Sequence, residues 1–145
     1  DAQSVDPSFN VITSAVKVPE TLSHLHYWNV QLTRKADKEE VLDAFNKSTR
    51  IAMIKYSDEL AANNTVKELM LAIGRPYGDM YEVALWQDML KVVGDEVFYA
   101  YLVDNQAIVI PETIDAIRAL TGIEPDAEKS ILKTNESLGV KQSFY

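Results

Sequence analysis

The sequence predicts a single α+β domain, with a mixed, mainly antiparallel sheet and helices packed on one face. Three observations carry that prediction. Short apolar runs with period-2 alternation are interleaved with stretches of helical periodicity, in the order β-β-α-β-α-β-β-α-α. Gly94-Asp95 is a hairpin signal between two of the strand segments, so that pair is antiparallel. The 145 residues contain no internal repeat, low-complexity tract or Pro/Gly/Ser-rich linker, which fits one core spanning residues 1–145.

Residues 1–10 have no periodicity and read as an irregular lead-in. Residues 11–18 are β-branched and roughly alternating, a strand that Pro19 ends. A second strand covers residues 25–32. Leu22, His24, His26, Trp28, Val30 and Leu32 fall on one period-2 phase, so an extended run puts both histidines on one face. Asp37, with Glu40 three residues on, opens a helix over 38–47 that carries Val41, Leu42 and Phe45. Residues 50–56 form a compact third strand. Thr65 and Glu68 form a capping box, Leu69, Met70 and Ile73 make the following apolar stripe, and Gly74 and Pro76 stop that helix. Residues 81–103 carry two or three strand segments around the hairpin. Pro111 suits the first turn of a helix with Ile114, Ile117 and Leu120 as its buried stripe and Gly122 past its end. A last helix runs from Asp126 to Leu138, before Gly139.

Composition excludes several function classes. The net charge of −8, with no Lys/Arg stripe, repels nucleic-acid phosphates and anionic membrane surfaces, so neither partner is expected. No apolar stretch approaches the roughly 20 residues that span a bilayer. No basic start followed by an apolar segment marks a signal peptide, and the triplets at Asn46, Asn63 and Asn135 are read as chance matches to the glycosylation pattern. The absence of cysteine rules out disulfides, thiolate zinc sites and a cysteine nucleophile within this chain, and fits a reducing compartment. Five glycines, none in a G-x-G or P-loop pattern, leave no dinucleotide-binding fingerprint.

His24 and His26 are the only histidines. A zinc site takes at least three protein ligands; one strand offers two and no third follows, so no metal site is expected. Two readings stay open: strand histidines that pack or hydrogen-bond, or an imidazole that moves protons near neutral pH. The second needs a nucleophile other than a cysteine of this chain. Asp104, Asn105 and Gln106 interrupt two apolar runs at a strand-to-helix junction. They read as a turn, because Asp and Asn favour turns, or as amide donors and acceptors aimed at a ligand. Glu39-Glu40, Asp95-Glu96 and Asp126 read as caps and solvated faces rather than a catalytic carboxylate pair.

Five segments occur in a telling order: DAQSV (1–5), TSAVKVPETLSHLH (13–26), NKSTRIAMI (46–54), IVIPETIDAIRAL (108–120) and KTNESLGV (133–140). Together they resemble the archaeal-type (class II) phosphorylating glyceraldehyde-3-phosphate dehydrogenases over nearly the whole chain. The resemblance implies a match to the C-terminal part of that family's catalytic domain. The family's Rossmann domain, which binds NAD or NADP, and its catalytic cysteine in an S-C-N-T-T segment precede the matched region. The resemblance therefore implies that this chain alone is inactive. In the family reaction a cysteine thiolate attacks the aldehyde of glyceraldehyde 3-phosphate, hydride leaves to the nicotinamide, and inorganic phosphate displaces the thioacyl enzyme to give 1,3-bisphosphoglycerate. The first histidine of the H-x-H pair assists that thiol, which maps onto His24 and leaves His26 as a structural neighbour. The family's nicotinamide-contacting glutamine maps onto Asn105, one methylene shorter, with Gln106 as its rival. The family also implies a cytoplasmic homo-tetramer built through the sheet, with Val83, Leu85, Val97, Tyr99 and Tyr101 as candidates for an exposed apolar patch. Two rivals remain: a stand-alone interaction or oligomerisation domain that kept the fold and lost the chemistry, and the C-terminal domain of a related aldehyde dehydrogenase acting on an acyl phosphate.

Overall fold

The computed structural model describes residues 2–19 and 23–145. In chain order it forms α1 (Ala2–Val5), β1 (Ser23–Gln31), α2 (Lys38–Asn46), β2 (Ile51–Ile54), α3 (Asn63–Ala72), β3 (Val83–Trp86), β4 (Lys91–Val93), β5 (Glu96–Asp104), α4 (Val109–Thr121) and α5 (Ala127–Leu138). The fold is α+β, around a mixed, mostly antiparallel sheet that does not close. β5 is its centre. One edge of β5 pairs antiparallel with β1 over nine residues; the other meets β4 along Glu96–Phe98 and β3 at Tyr101 and Leu102. β2 completes the sheet by pairing parallel with β3.

Local chemistry explains most boundaries. Asp37 caps α2, its carboxylate accepting the Glu40 N–H at 2.8 Å, and Asp126 caps α5 through the Lys129 N–H at 3.1 Å. Gly94 turns the β4–β5 hairpin at a φ of +68°, where a side chain would be strained. Gly78 has a second constraint: a Cβ there would meet the Leu71 side chain at 3.1 Å and the Lys67 carbonyl at 3.3 Å.

Alternation along the strands puts Ala52, Ile54, Ala84, Trp86, Ala100 and Leu102 on one face. There they close a core with Val66 and Met70 of α3 and with Leu60 and Met80 from the connections. Burying a side chain such as Met70 or Leu102 stabilises by about 1.5–3 kcal/mol. The Trp86 indole N–H is satisfied by the Leu60 carbonyl at 2.6 Å. The opposite face carries Tyr99 and Tyr101 of β5. The Phe45 ring of α2 meets Tyr99 there edge-on, with centroids 5.2 Å apart.

Four expectations are corrected. Residues 11–18 form no strand; they have no regular secondary structure and are exposed from Ile12 on, because β-propensity supplies no pairing edge. The Thr65/Glu68 box does not form. α3 begins at Asn63, with Ala62 as its cap residue, and the Thr65 hydroxyl donates back to the Ala62 carbonyl at 2.7 Å. The α4 stripe is not buried: Ile117 and Leu120 are exposed, Leu120 at 87%, and Pro111 is the buried residue of that helix. Leu85 and Val97 are closed off, at 1% and 3% exposure, so they make no surface patch. Exposed apolar side chains are instead scattered, among them Leu25, Tyr27 and Trp28 of β1 and Leu120 of α4. Leu22, expected on the strand phase of the histidines, lies outside the described residues.

Candidate functional site

β1 and β5 position the candidate residues together. The ladder pairs His24 with Val103, His26 with Tyr101 and Trp28 with Tyr99, so both histidines share a face as their spacing predicts. The two side chains differ. His26 is half-buried and stacks on Tyr101, with ring centroids 4.9 Å apart and planes 14° off parallel. Burial lowers its pKa from the ordinary histidine value, and the neighbouring His24 lowers it further. His24 is exposed and touches His26 only edge-on, with centroids 5.9 Å apart. Its imidazole is therefore the one open to a reacting group.

The same ladder puts the turn that carries Asn105 and Gln106 next to the end of β1 that carries His24, about 80 residues away in sequence. Ser23 pairs with Asp104, so the turn that follows β5 starts one pair beyond the His24–Val103 pair. Asp104 builds that turn from within. At 2% exposure, its Oδ1 accepts the N–H groups of Gln106 at 2.9 Å and Ala107 at 3.0 Å. Its Oδ2 accepts Lys67 Nζ at 2.5 Å, and Lys67 also donates to the Gly78 carbonyl at 2.7 Å. Burial pushes the Asp104 carboxyl up, but Lys67 and the two backbone donors outweigh it and hold the group below the usual carboxylate range. The side chains of Asn105 and Gln106 remain exposed, with their amides free to meet a ligand.

Two ionic clusters fix the neighbouring segments. Glu82, fully buried, takes both guanidinium nitrogens of Arg75 at 2.6 and 2.7 Å and the Lys141 N–H at 2.7 Å. Arg75 also donates to the Gly139 carbonyl at 2.8 Å, tying the α3–β3 connection to the end of α5. Asp115 of α4 accepts Arg50 at 2.5 Å, Thr134 at 2.6 Å and Ser130 at 2.7 Å. Burial raises its pKa, and these three donors more than reverse the effect. Arg50 reaches further, to Asn135 Oδ1 at 2.9 Å, while Asn135 Nδ2 donates to Thr49 at 2.8 Å. Sequence reasoning missed Lys67, Arg75, Glu82, Arg50 and Asp115. The partners named above lie 7 to 85 residues away, and nothing in local pattern announces such pairs. Among the described residues, no three His, Asp or Glu side chains come together to hold a metal, and no helix is long and apolar enough to cross a membrane.

No family model matches the chain. Curated relatives match it nearly end to end. A glyceraldehyde-3-phosphate dehydrogenase of Methanobrevibacter smithii is 37% identical over 140 residues, 97% of this chain and 41% of the relative. Its namesake in Methanopyrus kandleri is 36% identical over 143 residues, 99% of this chain and 41% of the relative. That of Thermoplasma volcanium is 36% identical over all 145 residues, 43% of the relative. Over nearly its whole length the chain is similar to archaeal glyceraldehyde-3-phosphate dehydrogenases. It spans about two fifths of the length of the glyceraldehyde-3-phosphate dehydrogenases it matches. The match to the Thermoplasma glyceraldehyde-3-phosphate dehydrogenase takes in both His24 and the 104–106 turn.

Proposed function

We propose that this chain supplies the acid–base histidine and one wall of the nicotinamide site to a phosphorylating glyceraldehyde-3-phosphate dehydrogenase. The observation that carries this reading is the end-to-end match, at 36–37% identity, to relatives of that name. His24 is the catalytic group. An exposed imidazole at a strand end can take the proton of a thiol and stabilise the thiolate, then assist inorganic phosphate. The thiol comes from outside these 145 residues, which hold no cysteine. His26, stacked on Tyr101, fixes the strand and its neighbour's approach.

The cofactor is a nicotinamide dinucleotide, NAD or NADP, which when bound accepts the hydride released by aldehyde oxidation. Its fit to this chain is partial. Asn105 and Gln106 offer exposed carboxamides suited to the nicotinamide carboxamide, while no glycine-rich loop here suits the pyrophosphate. Glyceraldehyde 3-phosphate and inorganic phosphate are the substrates of the complete enzyme. The setting is a cytoplasmic homo-tetramer, and residues 1–145 act as one domain of it.

Two preparations test the reading. The pure chain, given glyceraldehyde 3-phosphate, inorganic phosphate and either dinucleotide, gives no reduced nicotinamide. A chimera in which it replaces the matched 140 residues of the Methanobrevibacter relative turns over. Turnover by the pure chain, or a folded chimera that binds the dinucleotide and never turns over, overturns the proposal. The second outcome is what a domain that had lost the chemistry would give.

A further inference from the structure

A lysine head normally stays in water while its stem packs. Lys67 does the opposite. Val66 and Met70 bury α3 against the core, and Lys67 beside them keeps only 15% of its side chain exposed. Its ammonium lies between the Gly78 carbonyl, at 2.7 Å, and Asp104 Oδ2, at 2.5 Å. The Gly78 end of that bridge is fixed, because Gly78 packs so closely on α3 that a Cβ there would lie 3.3 Å from the Lys67 carbonyl.

The Asp104 end of the bridge carries the turn. Its Oδ1 holds the Gln106 and Ala107 N–H groups, and its own carbonyl accepts the Ile108 N–H at 3.1 Å. Asp104 and Ala107 are buried on either side of the exposed Asn105 and Gln106, so two outward carboxamides stand on a turn anchored at both feet. Among the described residues, Lys67 is the ion-pair partner of Asp104. A carboxylate buried to this degree without a cation costs more than two turn hydrogen bonds return. Without Lys67 it swings toward water, and the two N–H bonds go with it.

We propose that Lys67 is a positioning residue: held by the Gly78 carbonyl and by Asp104, it sets the pose in which Asn105 and Gln106 meet the nicotinamide carboxamide. This role rests on the reading of those two residues as nicotinamide contacts. Lys67 acts through Asp104 and needs no contact with the dinucleotide. A turn already held in its binding pose loses little freedom when the ligand arrives, so the lysine favours recognition of the carboxamide in particular.

The first arm of the test is amide hydrogen exchange on the 145-residue chain with no dinucleotide present. Lys67→Met keeps an unbranched apolar stem and removes the charge. The Gln106 and Ala107 amides should exchange about tenfold faster or more, while the Glu40 amide on the Asp37 cap keeps its rate. Lys67→Met combined with Asp104→Asn should restore the protection, because asparagine keeps the Oδ1 acceptor and strands no charge. Unchanged exchange at Gln106 and Ala107 overturns the proposal, as does equal acceleration at Glu40 or a double variant that restores nothing. The second arm is calorimetry on the chimera with the Methanobrevibacter relative. It compares the dissociation constant of the dinucleotide with that of its 3-acetylpyridine analogue, in which a methyl replaces the carboxamide NH2. The preference for the carboxamide should shrink by about tenfold in Lys67→Met, and as far in Asn105→Ala with Gln106→Ala, with no further loss when all three are combined. A preference that Lys67→Met leaves intact and the Asn105/Gln106 pair removes overturns the role of Lys67 and leaves the nicotinamide reading standing. A preference that neither variant changes overturns both.

Discussion

Replacing Arg75 with alanine should be among the most destabilising single changes in this chain. Glu82 is fully buried and Arg75 is 8% exposed, with both guanidinium nitrogens on the carboxylate. Arg75→Ala leaves the buried Glu82 carboxylate with the Lys141 N–H as its donor and strips the Gly139 carbonyl of its guanidinium partner. Removing one member of a buried ion pair costs about 3–5 kcal/mol, mostly the penalty of the stranded charge. A 145-residue chain unfolds with an entropy of roughly 0.3 kcal/mol per kelvin, so the melting temperature should fall by about 10–17 °C. Urea titration followed by circular dichroism gives the free energy directly. The double change Arg75→Ala with Glu82→Leu should recover much of the loss, because the stranded charge is gone. A loss under about 1 kcal/mol for Arg75→Ala, or no recovery in the double variant, refutes the reasoning.

Asp104 has a folded pKa below its unfolded value, so its pairing with Lys67 stabilises above the unfolded pKa of about 3.9 and is lost as pH falls through the folded one. Urea midpoints measured from pH 6 to pH 2.5 should therefore fall less steeply in Asp104→Asn than in the parent chain, and equal slopes would exclude the role. His26 has a folded pKa below the unfolded value of about 6.5, so protonation opposes folding, and stability declines as pH drops from there toward the folded pKa. His26→Phe keeps a ring on Tyr101 and should abolish that decline; its persistence in the variant would assign it to another group. Gly78→Ala should destabilise by about 1–2 kcal/mol, from a positive φ and a crowded Cβ, and a neutral result by the same titration would contradict that geometry.

Features that depend on a few adjacent residues were legible in the sequence. The Asp37 and Asp126 caps, the Gly94-Asp95 hairpin and the shared face of His24 and His26 all follow from spacing. Features that need a distant partner were not. Residues 11–18 have the side chains of a strand, but pairing requires an edge that the described chain does not present to them. Ile114, Ile117 and Leu120 have helical spacing, yet periodicity cannot say what covers the face they make. Thr65 suits a helix start, but the chain turns helical two residues earlier. At the site, His24 and the 104–106 turn were each visible. Their placement at the same end of the β1–β5 ladder came from register, and Lys67, which holds the turn through Asp104, gave no sign of its role in sequence.

The most direct test of the account is turnover and thiol alkylation in the chimera with the Methanobrevibacter relative, comparing His24→Ala with His26→Ala. The account predicts that His24→Ala lowers kcat by about 10²–10⁴ and moves alkylation of the cysteine to higher pH, as loss of its basic partner requires. His26→Ala should leave most of the turnover and lower the melting temperature instead. Near-normal turnover and an unchanged alkylation profile in His24→Ala, with both lost in His26→Ala, would contradict it.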